Sequence, residues 1–138
     1  MNISVNGKTF KKNDVLVAIL TGIKCAEILA NPSVSMLGYE YNGGEVVSCC
    51  TLCVIPNMSR GMKPYGLLEN VVTHPKYRRK GFATTLLKTA QSIAWELGCY
   101  KIMLLTGSQQ ESTLLFYKKC GFLADRKQGL VVYPFVPE

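Results

Sequence analysis

Positions 78 to 84 read Arg-Arg-Lys-Gly-Phe-Ala-Thr, three cations followed by a glycine and, at 83, a second small residue. Such a run is suited to holding an anion. It falls where a strand-like pattern ends and a helical one begins. The first turn of a helix carries backbone N–H groups without partners, and the helix dipole adds partial positive charge there. The two effects together make a phosphate site. Gly81 lets the main chain approach a ligand with no Cβ in the way, and Arg78, Arg79 and Lys80 add charge around the same point. Other phosphate motifs are not met. Gly61 and Gly66 have the glycine spacing of a Walker loop, but Leu67 stands where lysine is required, and no G-x-G-x-x-G run occurs.

The thiols and the single histidine add little to this. Cys50 and Cys53 form a C-x-x-C among six cysteines, with no second pair at ligand spacing and only His74, next to Pro75, as an imidazole. The expectation is no metal, with free thiols kept in a reducing, cytoplasmic compartment. A net charge of +7, from 16 Lys and Arg against 9 Asp and Glu, favours an anionic partner. The cations gather at a helix start without the interleaved exposed aromatics of a single-strand platform, which disfavours nucleic acid. The apolar run 15–20 is too short to span a bilayer, and Lys24 precedes Cys25 where a lipoprotein site wants a small residue. No membrane association and no leader are expected.

The elements that must position the basic turn follow from periodicity. Residues 1–10 offer a short strand at most, with Asn6-Gly7 as a hairpin turn. A helix is expected over 13–29, stopped by Asn31-Pro32. Strands follow at 33–41 and 45–55, joined by Asn42-Gly43-Gly44, then a polar loop at 56–64 and a strand at 65–73. The main helix spans 79–97, with Phe82, Leu86, Leu87, Ala90, Ile93, Ala94 and Leu97 on one face and Gly98 closing it. Trp95 reads as a packing residue. A doubly buried strand is expected at 100–106. Ser108 to Glu111 fits a capping box opening a helix that ends at Gly121, and 129–135 reads as a last strand. The order gives one α/β domain over 1–138, a mixed α+β sheet covered by helices.

In this context the run Arg78-Arg79-Lys80-Gly81-Phe82-Ala83 resembles the [QR]-x-x-G-x-[GA] signature of the Gcn5-related N-acetyltransferases. Val-x-x-Pro-x-Tyr precedes it, and Phe116-Tyr117-Lys118-Lys119-Cys120-Gly121-Phe122 matches a second element of that family at the expected distance. The resemblance covers about 33–135. It implies the acyl-CoA N-acyltransferase fold and acetyl-CoA as cosubstrate. Pantetheine would pair with the edge of Val71, Val72 and Thr73, and the pyrophosphate would lie on the N–H groups from Arg79 through Lys80, Gly81, Phe82 and Ala83 to Thr84. Glu69 would take the proton of the acceptor amine, and the Val72 amide would stabilise the oxyanion. Tyr117 would protonate the leaving thiolate, with Ser112 or Thr113 helping to place it. Asn70, expected on the opposite sheet face from Glu69, would be structural.

The acceptor implied is a primary amine of a small molecule or peptide. Glu69-Asn-Val-Val and Cys99-Tyr-Lys-Ile resemble runs in glucosamine-phosphate N-acetyltransferases, in which case Arg60 and Lys63 would hold a sugar phosphate. Family members open with a strand and helix for which there is little room here. That shortening leaves three options: an open acceptor site, a site shared in a homodimer, or a non-catalytic acyl-CoA-binding sensor module.

Overall fold

The computed structural model describes residues 3–5, 8–10 and 23–134. They fall into two compact units, Met1–Leu104 and Leu105–Glu138. The first unit holds β1 (Ile3–Val5), β2 (Lys8–Phe10), α1 (Ile23–Ala30), β3 (Val34–Tyr41), β4 (Glu45–Ile55), β5 (Tyr65–Thr73), α2 (Phe82–Glu96) and β6 (Ile102–Leu104). The second holds α3 (Glu111–Lys119).

The sheet runs β2-β1-β3-β4-β5-β6. All neighbours are antiparallel except β5 and β6, which are parallel. The expected single N-terminal strand is two three-residue strands, with β1 docked on β3 at Val5↔Leu37. The Asn6-Gly7 turn between them, and 13–22 of the expected first helix, lie outside the described residues.

Strand alternation sends Leu37, Val47, Cys50, Leu52 and Leu68 into the core, where Leu86, Leu87, Ala90 and Ala94 of α2 meet them. These α2 positions fall on one face at helical spacing, so one helix covers β3, β4 and β5. Each fully buried leucine contributes about 1.5–3 kcal/mol. The helix closes as expected at Gly98, with φ 78°. Gly98 N–H donates to Trp95 O and Cys99 N–H to Ala94 O, the two bonds of a Schellman stop.

Several expectations are corrected. The main helix begins at Phe82 and not at 79, because Arg79 and Gly81 hold left-handed backbone (φ 62° and 83°) that no α-helix tolerates. Trp95 is not packed; it is 52% exposed, on the outer face of α2. β6 is half-buried and only three residues long, not a doubly buried strand over 100–106. Among the described residues it pairs with β5 alone, and Leu105 beyond it is 64% exposed.

In the second unit the helix starts at Glu111, so this residue is the first of the helix and cannot close a capping box three residues in. Ser108 Oγ instead accepts from Gln110 N–H at 3.3 Å and donates to Thr113 Oγ1 at 3.1 Å. Residues 129–134 form no strand. Leu130, Val131 and Val132 are 88%, 70% and 92% exposed, with no strand partner among the described residues. Apolar composition alone does not make a strand; pairing does.

Candidate functional site

The site begins with a fault in β5. Leu68 pairs with Leu52, and Glu69 with Thr51. The next matched pair is Val72 with Cys49, so two residues of β5 oppose one of β4. Asn70 carries the bulge, with φ 54°, a left-handed conformation that asparagine adopts more readily than most residues. Strict alternation would send Asn70 to the face opposite Glu69. The bulge re-aims it, and Asn70 Nδ2 lies 3.4 Å from Thr51 Oγ1, on the residue paired with Glu69.

The bulge also releases the strand from its other neighbour. Pairing with β6 ends at Leu68↔Leu104, while β5 continues to Thr73. The last residues of β5 therefore have an edge that no described strand covers. The direction of each peptide can be read from the bonds. Val72 O accepts from Ser48 Oγ at 3.1 Å, and His74 N–H donates to Val47 O at 2.8 Å. Residues 72 and 74 thus turn their main chain toward β4. By alternation, Val71 and Thr73 turn theirs to the open edge, and Thr73 O there accepts from Arg78 Nε at 3.1 Å. The Val72 amide, expected to meet an oxyanion, faces the wrong way; the open edge presents Val71 and Thr73.

Glu69 is exposed on β5. Glu69 pairs with Thr51, two residues before Cys53 on β4, and burial, then the charge of Glu69, raise the pKa of Cys53. A thiol held protonated in this way is a poor nucleophile. His74 is tied into the loop after β5, its Nδ1 accepting from Lys76 N–H at 3.3 Å.

Downstream of that loop, Arg78 is extended, Arg79 left-handed and Gly81 left-handed. Alternation of this kind points successive N–H groups into one concavity. Gly81 is the N-cap of α2 and no side chain caps it, so the first-turn amides at 82–84 keep their donors. No acidic residue occupies the first turn. A Cβ built at Gly81 meets nothing within 4 Å, so glycine is there for its φ and the space beside it is open. These features fit a diphosphate. Arg78 spends its Nε on Thr73, and its other guanidinium N–H groups have no partner among the described residues. The Phe82 ring is not available to a ligand. It stacks on Tyr39 with centroids 4.3 Å apart.

Beneath the turn lies an aromatic group that the sequence did not announce. Tyr77, buried, donates from its hydroxyl to Glu45 Oε2 at 2.6 Å. Its ring lies 5.3 Å from that of Tyr41, and Tyr41 lies 5.5 Å from Phe82. The signal in the sequence was the tyrosine of Val-x-x-Pro-x-Tyr. Glu45, across the sheet on another strand, had none.

In the second unit, Tyr117 is half-buried and Ser112 exposed, both on α3. Gly121 N–H donates to Lys118 O and Phe122 N–H to Tyr117 O, a second Schellman stop. Tyr117 and Phe122 pack edge to face at 6.1 Å, and Phe116 lies 5.0 Å from Tyr117. The run Tyr117 to Phe122 is thus, first of all, a way to end a helix. Among the described residues no group of three or more His, Cys, Asp or Glu could hold a metal ion, and no helix is long and apolar enough to cross a membrane.

Known proteins resemble this chain in sequence and fold. Residues 11–122 match the acetyltransferase (GNAT) family. The glucosamine 6-phosphate N-acetyltransferase of Trypanosoma brucei brucei is 35% identical over 85 residues, covering 62% of this chain and 56% of that protein. The enzyme of the same name from Schizosaccharomyces pombe is 32% identical over 77 residues, covering 56% and 67%. The chain therefore spans little more than half the length of the first of these relatives. A solved acetyltransferase of Trypanosoma brucei superposes with a TM-score of 0.69 at 28% identity, covering 80% of this chain and 76% of the other. With the family match extending over residues 11–122, the chain belongs to the acetyltransferase (GNAT) family.

Proposed function

We infer that this protein transfers an acetyl group from acetyl-CoA to the primary amine of a small molecule or peptide, as one catalytic domain. The observation that supports this best is the open edge of β5 running into the left-handed turn at the start of α2. An extended chain laid along Val71 to Thr73 would continue the sheet and deliver a diphosphate to the amides at 79–84. The bound cosubstrate supplies an activated thioester. The protein supplies position, a proton acceptor and an oxyanion donor.

Glu69, directly or through water, takes the proton of the acceptor ammonium. The free amine then adds to the carbonyl carbon, and the oxygen gains charge. The donors for that charge are the open-edge amides of Val71 or Thr73, not that of Val72. Collapse breaks the carbon–sulfur bond and Tyr117 gives its proton to the thiolate, with Ser112 helping to place it. The relatives' names make an amino-sugar phosphate the first acceptor to try. Arg60 and Lys63 are weaker candidates for its phosphate than the sequence suggested. They lie before Tyr65, and four residues of strand, about 13 Å, separate Tyr65 from Glu69.

A thiol-release assay with acetyl-CoA tests the reading against glucosamine 6-phosphate, glucosamine, polyamines, aminoglycosides, amino acids and peptides. Amine-dependent release of CoA is the expected result. Binding of CoA with no release from any amine would turn the reading to an acyl-CoA-binding module. The thiols of Cys49, Cys50, Cys53 and Cys99, in no disulfide, favour a reducing, cytoplasmic setting, and a homodimer is the arrangement to test if the acceptor site needs a second wall.

A further inference from the structure

The pyrophosphate turn is not self-supporting. Two of its residues, Arg79 and Gly81, sit at positive φ, and of these only glycine does so without cost. A free loop of this sequence would relax. Besides the Arg78–Thr73 bond and the Phe82–Tyr39 stack, the Tyr77 side chain immediately before the turn ties it to the sheet. The Tyr77 hydroxyl donates to Glu45 Oε2 at 2.6 Å, across 32 positions of sequence, the length of a charge-assisted O–H···O⁻ bond. Glu45 opens β4 directly after the hairpin at 42–44, so the bond fastens the turn to the β3–β4 hairpin.

The Tyr77 ring is also a hub. Lys76 Nζ lies 5.4 Å from its centroid and Lys80 Nζ 5.3 Å, with Lys80 also 5.9 Å from the Tyr41 ring. His74 and Tyr41 flank it at 5.6 and 5.3 Å. The Lys80 ammonium is thereby drawn onto aromatic faces, and what Lys80 offers an anion is its main-chain N–H. The phenol pKa is raised, first by the hydrogen bond to Glu45 and then by burial, so Tyr77 stays a donor further into alkaline pH than a free phenol.

We propose that the Glu45–Tyr77 pair is a positioning device for the coenzyme, holding the turn at 78–82 in its anion-binding shape before acetyl-CoA arrives. The proposal rests on the acetyl-CoA reading above. Breaking the tie lowers the fraction of molecules whose turn is ready, and the apparent dissociation constant rises in proportion. The chemistry at Glu69 is untouched.

The test measures CoA binding by calorimetry on the full chain, with kcat at saturating acetyl-CoA and amide exchange at 79–83 in the free protein. Tyr77→Phe keeps the ring and removes the donor. Glu45→Ala removes the acceptor, and Glu45→Gln keeps an acceptor oxygen. Tyr77→Phe and Glu45→Ala should each weaken CoA roughly three- to tenfold. The double variant should be no weaker than the worse single one. Glu45→Gln should recover most of the affinity, kcat should stay within about twofold, and exchange at 79–83 should quicken in both broken variants. Equal affinities, multiplying losses, or unchanged exchange would each overturn the tie. If the unaltered protein fails to bind CoA, the coenzyme reading falls, while the exchange arm still reports on the tie.

Discussion

Glu69 stands exposed on β5 with Thr51 across from it, a place where it can meet an incoming ammonium. Replacement by Gln keeps size and hydrogen bonding and removes the basic site, so kcat should fall about 10²–10³-fold with little change in CoA affinity. An unchanged kcat would move the base to bulk water. Tyr117→Phe should lower kcat more than it raises the KM for acetyl-CoA. Its ring contacts with Phe116 and Phe122 survive the change, so a folding defect is not expected, and equal turnover would end its role as acid. At this scale the basic turn and its glycine at the start of α2 were legible because their chemistry is local. Asn70 was not. Its side chain is turned by a bulge that exists only once β4 and β5 are paired, and the same bulge transfers the open-edge role from Val72 to Val71 and Thr73.

The elements carry their own tests. Gly81 has φ 83° with empty space around a built Cβ, so the objection to a side chain there is conformational. Gly81→Val should cost about 1–2 kcal/mol through a left-handed β-branched residue and weaken CoA by occupying the approach to the amides. Calorimetric unfolding and binding on the same variant separate the two effects. Affinity held at the original value would mean that the turn does not touch the ligand. Element limits were readable where the stop is chemical, as at Asn42-Gly43-Gly44, Gly98 and Gly121, each with its glycine at positive φ. They were unreadable where the outcome depends on a partner. The apolar run at 129–134 has strand composition yet forms no strand, and Ser108 spends its hydroxyl on Thr113 instead of on a helix cap.

At the scale of the whole molecule, stability rests on the layer where α2 closes over the sheet. Cys50 sits in it at 2% exposure, beside Leu37, Leu52 and Leu68, and burial, with a smaller push from Cys49, raises its thiol pKa to about 12. An unperturbed cysteine thiol, as in the unfolded chain, has a reference value of 9.0. A group whose folded pKa lies above its unfolded one contributes its full stabilisation below the unfolded value and loses it as pH climbs toward the folded one. Between pH 9 and 12, therefore, Cys50 alone should erode stability by about 1.4 kcal/mol per pH unit, while pH 6 to 8 leaves it untouched. Denaturant unfolding at pH 8, 9 and 10 on the protein and on Cys50→Ala reads this directly. The variant is less stable at pH 8 because it leaves a cavity, yet its midpoint should fall less steeply above pH 9. Parallel slopes for the two proteins would show that the thiol already reaches solvent, and that α2 does not seal the sheet as its buried leucines and alanines indicate.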